Sequence, residues 1–378
     1  MKKSLFISMI LLCASAFSQT KTWKQTSVAD FASGAFDRVV STAVSDGELQ
    51  LIHPLVRVGN DTLDSSIPRF VCYDDAGNSL QAWTSSKTIC VQKFNSLRQP
   101  TSPVINVDAN VATDTYRIGL ALLNDGRFVV GWLEEVDSLN HYSYYMRYCQ
   151  FFDSSNTKAG NRILVFNLNN ASASTPLPFA DQKNQRFVII GTEGNGTAGF
   201  KSYACIFGPS GIKLRDSIRI APSSATKNEF TLDGAFHDGK FAFVWSGTNG
   251  NTSSTDTYFM LADSNCIPLM DPVKVNDNAP KGDLPSVGFD DAGNCLVIWN
   301  WNPYVVPGPP GILYGRILDF SGRKIGGVLQ LTSLQSGTVY WQKIAAIDGK
   351  LRITFMQTFS NGLPSQQWVS YRKMLLIN

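Results

Sequence analysis

From about residue 60 to the end of the chain, short apolar runs alternate with clusters of Gly, Asp and Asn. Runs such as LPSVGF and NCLVIW are nearly continuous in their apolar character, which fits strands buried on both faces better than strands with one wet side. No helical periodicity of useful length follows residue 18. The pattern predicts an all-β chain.

One turn-and-strand unit recurs. It reads YDDAGNSLQAW (Tyr73 to Trp83), LNDGRFVVGW (Leu123 to Trp132), FHDGKFAFVW (Phe236 to Trp245) and FDDAGNCLVIW (Phe289 to Trp299), with the Trp six residues after the turn Gly each time. A fifth copy, AIDGKLRITF, places Phe355 six after Gly349, and a degenerate sixth, KNQRFVIIG, has Gln185 for the Gly and Gly191 for the Trp. Asp-Gly and Ala-Gly-Asn accept positive φ cheaply, so each unit is a hairpin. Third strands follow in TICVQKF, YYMRYCQFF, KSYACIF, TYFML, ILYGRIL and QWVSYRKM, and fourth strands in SPVINV, RILVFN, SIRIA, PVKVN and VLQLT. The landmarks lie 49 to 59 residues apart. Four strands per unit at that spacing predict a single β-propeller of about six blades.

The last unit lacks a fourth strand, whereas Phe36 to Val58 has strands to spare. Part of this stretch, LQLIHPLVRV, is expected to complete the last blade and close the ring, removing a free sheet edge. If the Asp46-Gly47 turn headed a blade of its own, the count would be seven; its closeness to Gly77 favours six.

The blades resemble those of uncharacterised exported bacterial repeat proteins with a D-x-x-G-x-x-x-V-x-W core and a third strand of Tyr, Arg and a closing Gly. The residues that carry the likeness are Asp290 to Trp299 and Tyr314 to Gly322. The resemblance spans roughly residues 60–378 and implies architecture and export. It implies no single activity, because fold does not fix function.

The start of the chain gives an address. Met1-Lys2-Lys3, an apolar run from Leu5 to Ala16, and small Ala16 and Ser18 form a secretory signal, with cleavage expected before Gln19. Leu12 before Cys13 is bulkier than a lipid-anchoring site takes. The reading is therefore a signal peptide at 1–18 and a soluble propeller at 19–378, secreted, periplasmic or on the cell surface. No stretch is long enough for a membrane helix, and a monomer is expected.

Residues 1–18 hold two of the 33 Lys and Arg and none of the 30 acids, so the mature charge is near neutral. That argues against a nucleic-acid partner, which needs a concentrated basic surface. The remaining cysteines, Cys72, Cys90, Cys149, Cys205, Cys266 and Cys295, are spread through strands and read as buried free thiols. His53, His141 and His237 are isolated, and no metal or cofactor motif is present.

The landmark Trp residues read as packing between blades, and Asp74, Asp75, Asp290 and Asp291 as turn formers. Function is expected on the face where loops joining second to third strands meet loops joining blades. The segment LEEVDSLNHYSYY offers Glu134, Glu135 and Asp137 as candidate catalytic carboxylates, with His141 beside them as a candidate ligand-binding residue. The segment NWNPYVVPGPPGI puts Trp301 and Tyr304 on a Pro-stiffened loop suited to a sugar ring. An enzyme would gather some of Asp114, Glu134, Glu135, Asp137, Glu193, Asp256 and Asp283 near the axis. The leading expectation is a non-catalytic protein presenting one face to a glycan or an envelope or extracellular protein. The alternatives are a carbohydrate-active enzyme (glycosidase or lyase) and a structural part of an envelope assembly.

Overall fold

A computed structural model describes residues 49–50, 70–74, 76–85, 88–97, 99–109, 118–136, 144–166, 176–195, 199–221, 228–248, 255–277, 282–301, 312–331, 338–347, 350–359 and 367–375. They form six four-stranded antiparallel sheets. A single short strand, β1 (Leu49–Gln50), comes first. Blade 1 is β2 (Phe70–Tyr73), β3 (Ser79–Ser85), β4 (Thr88–Phe94) and β5 (Ile105–Ala109). Blade 2 is β6 (Ile118–Leu122), β7 (Phe128–Val136), β8 (Tyr144–Phe152) and β9 (Ile163–Phe166). Blade 3 is β10 (Leu177–Asp181), β11 (Arg186–Asn195), β12 (Gly199–Phe207) and β13 (Lys213–Arg219). Blade 4 is β14 (Asn228–His237), β15 (Lys240–Thr248), β16 (Asp256–Asp263) and β17 (Val273–Lys274). Blade 5 is β18 (Asp283–Phe289), β19 (Cys295–Trp301), β20 (Ile312–Leu318) and β21 (Lys324–Gln330). Blade 6 is β22 (Thr338–Ile347), β23 (Lys350–Phe359) and β24 (Gln367–Leu375), completed on its outer edge by β1.

First strands of successive blades neighbour one another all the way round, from β2 through β6, β10, β14 and β18 to β22 and back to β2. The ring is a six-bladed propeller. Closure is as expected from the surplus N-terminal strand: Leu49 pairs with Lys373 and Gln50 with Arg372. Residues 51–58 of the expected closing segment, the Asp46-Gly47 turn and the signal segment lie outside the described residues.

The core lies between blades. One cluster joins Val188, Ile190, Ala204 and Ile206 of blade 3 to Phe241, Phe243, Trp245 and Met260 of blade 4. Others join blades 1 and 2 around Trp132, blades 2 and 3 around Phe151 and Phe187, and blades 4 and 5 around Trp299. Each landmark Trp is at most 1% exposed and packs as the wedge between sheets. Trp132, Trp245 and Trp299 each pair across strands with a Tyr (Tyr148, Tyr258 and Tyr314), with ring centroids 5.9–6.2 Å apart. All six described cysteines are free, and five are buried. Burial pushes the thiols of Cys205 and Cys266 up to about 12.

The hairpin turns close as the residue types dictate. Asp74 Oδ1 accepts from Asn78 N at 2.8 Å and Asp290 Oδ1 from Asn294 N at 2.7 Å, while each Asn side chain donates to the other carboxylate oxygen. The landmark glycines Gly77, Gly126, Gly239 and Gly293 occupy the left-handed region, with Gly293 at φ +81°. Gln185, which replaces the Gly in the degenerate unit, holds φ +49°.

Candidate functional site

First-to-second and third-to-fourth strand connections share one face of the ring. The opposite face holds the strand ends from which the second-to-third and blade-to-blade connections depart. Most residues of those connections lie outside the described set, so the site is built from the strand ends beneath them.

At this level the two halves of the ring differ. In every blade, one first-strand residue pairs with the position just before the landmark residue, which is aromatic except for Gly191 in blade 3. In blades 1 to 3 it is Phe70, Gly119 and Leu177. In blades 4 to 6 it is Asp233, Ser286 and Lys343. Each of the last three also follows a break in register, between Phe230 and Asp233, Asp283 and Ser286, and Tyr340 and Lys343. The first strands of blades 1 to 3 have no such break over their described lengths. Bulges re-aim side chains and concentrate beside active sites. Here three consecutive blades bulge at the same height around the axis, and polar residues follow each bulge.

Asp233 is 5% exposed, and the buried Ser286 hydroxyl of the next blade donates to its Oδ2 at 2.6 Å. The bulge below Asp283 is strained, since Leu284 holds φ +51°, which a γ-branched L-residue adopts only at a cost. Asp283 Oδ1 accepts from Leu284 N at 2.7 Å and steadies that conformation. Gly282 leads into the strand; a Cβ there would run into Trp299 and the Asn300 carbonyl. Thr255 Oγ1 donates to the Gly282 carbonyl at 2.9 Å, which ties this entry to blade 4.

Beside this arc, Glu229 is fully buried at the start of β14. It accepts a forked pair of bonds from the Arg219 guanidinium and a 2.7 Å bond from Ser202 N, both in blade 3. A buried carboxylate is tolerable only when satisfied in this way. Arg147, 1% exposed, likewise donates from Nη2 to the Thr192 carbonyl of blade 3 at 2.7 Å. Arg316 donates to Asp277 at 2.7 Å. Burial raises the Asp277 carboxyl, but bonds from Lys324 and its own backbone and the nearby Arg316 charge outweigh that and hold it below the usual range.

The residues expected from sequence fall in several places. Glu134 Oε2 accepts from Arg162 Nη1 at 2.7 Å, and Arg162 also bridges to Asp108 and lies over the Tyr148 ring. Its partner therefore sits on the outer strands, away from the axis. Of Glu135, Glu193 and Trp301 only the backbone is described, near the ends of β7, β11 and β19. Asp114, Asp137, His141 and Tyr304 lie outside the described residues. Asp256 pairs with Lys274 at 3.0 Å toward the outer edge of blade 4, and Asp283 starts an inner strand beside the axis. Asp233, Ser286 and Glu229 were not anticipated. Their signal is in the sequence, as a polar residue at a first-strand position that is Gly or Leu in blades 2 and 3.

The sequence matches no protein-family model and no curated protein. Solved structures do match in shape. An α-L-arabinanase of Penicillium chrysogenum, complexed with arabinobiose, aligns at 10% identity over 81% of this chain and 92% of its own, with a TM-score of 0.51. An α-L-arabinofuranosidase of Fusarium graminearum in complex with an iminosugar inhibitor aligns at 9% identity over 82% and 92%, with a TM-score of 0.50. The likeness is one of fold. Among the described residues no helix is long and apolar enough to cross a membrane.

Proposed function

We propose that this protein is an exported carbohydrate-active enzyme, a glycosidase or lyase whose substrate meets the bulged arc of blades 4 to 6. The observation that carries this reading is the set of three register breaks at one height, with the buried carboxylate of Asp233 held by Ser286 across the blade boundary. A passive glycan-binding face needs exposed aromatic and amide groups; it does not need a carboxylate buried beside the axis. Asp233 is the group assigned to the chemistry, with Asp283 on the neighbouring inner strand as its partner carboxylate. Glycoside cleavage employs two such groups. Trp301 and Tyr304 belong to the second-to-third-strand segment of blade 5, the blade that supplies Asp283 and Ser286, so they are assigned to sugar stacking.

Arabinose-containing glycans are the first substrates to try, since both fold neighbours act on them by name. The basic n-region and apolar run before Gln19 support export, and the likeness to exported bacterial repeat proteins supports the same address.

The test is a panel of polysaccharides and arabino-oligosaccharides incubated with the purified protein, scoring binding, new reducing ends and unsaturated products together. Turnover on any member supports the proposal. Binding without turnover would replace it with the non-catalytic reading. Silence in every channel would overturn glycan recognition altogether.

A further inference from the structure

The gaps between blades carry a second pattern, set by the side chain that opposes each landmark position. In blades 1 to 4, one third-strand residue pairs with the position just after the landmark: Ile89, Arg147, Ser202 and Thr257. Strand alternation puts it on the face toward the next blade, whose own landmark packs back across the gap. Ile89 and Trp132 share one apolar cluster. Ser202 lies on the same face of β12 as Ala204 and Ile206, which pack with Trp245. Thr257 lies on the same face of β16 as Phe259 and Leu261, which pack with Trp299. The opposing pairs are thus Ile89 with Trp132, Arg147 with Gly191, Ser202 with Trp245 and Thr257 with Trp299.

Size is complementary in each pair. Opposite Arg147 the landmark has no side chain, and the Phe166 ring fills the room, 2.8 Å from where a Gly191 Cβ would stand. Opposite each Trp stands an aliphatic group or a small hydroxyl. Polarity is matched differently. The indole N–H groups of Trp245 and Trp299 and the hydroxyls of Ser202 and Thr257 are buried, and among the described residues none has a hydrogen-bond partner. Tyr258 and Tyr314 lie nearly parallel to the indoles, at 14° and 21°, so their ring faces do not accept from an N–H that lies in the indole plane. Two neighbouring contacts bring the blade 4 and blade 5 groups to the same place. Thr255, on the Thr257 face, donates to the Gly282 carbonyl at 2.9 Å, and a Cβ on Gly282 would run into Trp299 Cδ1, the carbon bonded to Nε1.

We propose that the gaps between blades 3 and 4 and between blades 4 and 5 each bind one ordered water. The water accepts from the landmark indole N–H and bonds the facing hydroxyl, Ser202 in one gap and Thr257 in the other. Buried water occupies sites with two or more polar partners, and a buried donor left dry costs as much as a lost hydrogen bond. Trp132 supplies the contrast: its N–H is buried in the same way but faces the aliphatic Ile89, so that gap has one polar group and no water site. The two sites flank blade 4 and join it to both neighbours below the strand ends that carry the register breaks. They stand on the packing between blades and are independent of the glycan reading.

A crystal structure of the protein with ordered solvent tests this directly. One water is expected within hydrogen-bond distance of Trp245 Nε1 and Ser202 Oγ, one of Trp299 Nε1 and Thr257 Oγ1, and none between Ile89 and Trp132. A dry gap, or a direct bond from indole to hydroxyl, at either site would overturn the proposal. Thr257→Val tests it in solution, because it keeps the shape and removes the hydroxyl. A hydroxyl bonded to nothing is a liability whose removal stabilises, whereas one bonded to water is lost at a cost. Chemical denaturation should show the unfolding equilibrium constant rising about fivefold or more. A variant as stable as the wild type, or more stable, would contradict the bridge at blades 4 and 5.

Discussion

The two faces of the ring are built from the same strands yet follow opposite rules. On the turn face the described turns of blades 1 to 5 repeat one solution. An acid or its equivalent opens a short turn, and a residue in the left-handed region completes it: Asn156, Gly211, Cys266 and Gly322 in the third-to-fourth-strand turns of blades 2 to 5. Neighbouring turns are then bonded together. Lys93 Nζ donates to the Gly126 carbonyl at 2.6 Å, Gln182 Nε2 to the Leu122 carbonyl at 2.9 Å, and Lys240 Nζ to the Phe320 carbonyl at 3.1 Å. On the opposite face the bonds described between blades vary from one boundary to the next. One uses Arg162 with Asp108 and Glu134, another Arg219 with Glu229, another Ser286 with Asp233. Repetition holds the ring together, and its local loss marks the region assigned to chemistry.

Substitutions can break this contrast. The largest stability effect is expected at Arg186, whose guanidinium pairs with fully buried Asp181 at 2.8 Å and reaches the Ser264 carbonyl of the next blade. Arg186→Ala leaves the carboxylate buried without its cation and should cost roughly 3 kcal/mol. Chemical denaturation measures this; a loss under about 1 kcal/mol would show that the turn-face bonds between blades matter little. Gly293→Ala comes next, at about 2 kcal/mol, because φ is +81° and the new Cβ would stand 2.9 Å from the Phe320 ring. Its counterpart on the other face is Leu284→Gly. Relief of strain at φ +51° offsets the extra freedom of the unfolded chain, so stability should stay within about 1 kcal/mol of wild type while turnover falls. Equal losses at Gly293 and Leu284 would erase the distinction between the faces.

How much of this could be read in the sequence depends on what repeats. The Trp–Gly spacing gave six blades, the inter-blade wedge and the missing strand that β1 supplies, because each is an average over copies. Asp74 and Asp290 were legible as turn formers since Asx turns are local. Asp233 and Ser286 were not, although they differ from Gly119 and Leu177 at the same position. A register break inserts residues that pairing alone reveals, and without it Asp233 cannot be aligned with Ser286. Glu134 drew attention through its acidic neighbours in the chain, but Arg162, 28 residues away, decides its role.

Smaller effects concern titration. Bonds from the Ser321 hydroxyl and from Arg323 hold the Asp319 carboxyl well below the usual range, outweighing the little burial it has, and Ser155 and Thr157 do the same for Asp153. Both are ionised in the folded protein at pH values where the unfolded chain would be protonated. The stability they contribute is present above about pH 4 and lost as pH falls through the depressed values. Melting temperature should therefore fall on acidification, and by less in Asp319→Asn. A melting temperature unchanged down to about pH 2 would contradict this. The thiols offer the mildest test. With Cys205 and Cys266 raised to about 12, a thiol reagent at neutral pH should label them only after denaturation.

A matched pair of substitutions tests the central claim. Asp233→Asn and Asp290→Asn make the same chemical change to buried carboxylates on opposite faces, and turnover of the best substrate from the polysaccharide panel is compared with melting temperature for each. Asp233→Asn should lose about 100-fold or more in kcat, the scale of a missing acid–base group, with its fold intact, and Asp290→Asn should keep its rate. A full rate in Asp233→Asn, or an equal loss in both, would mean that the bulged arc of blades 4 to 6 is not the active site.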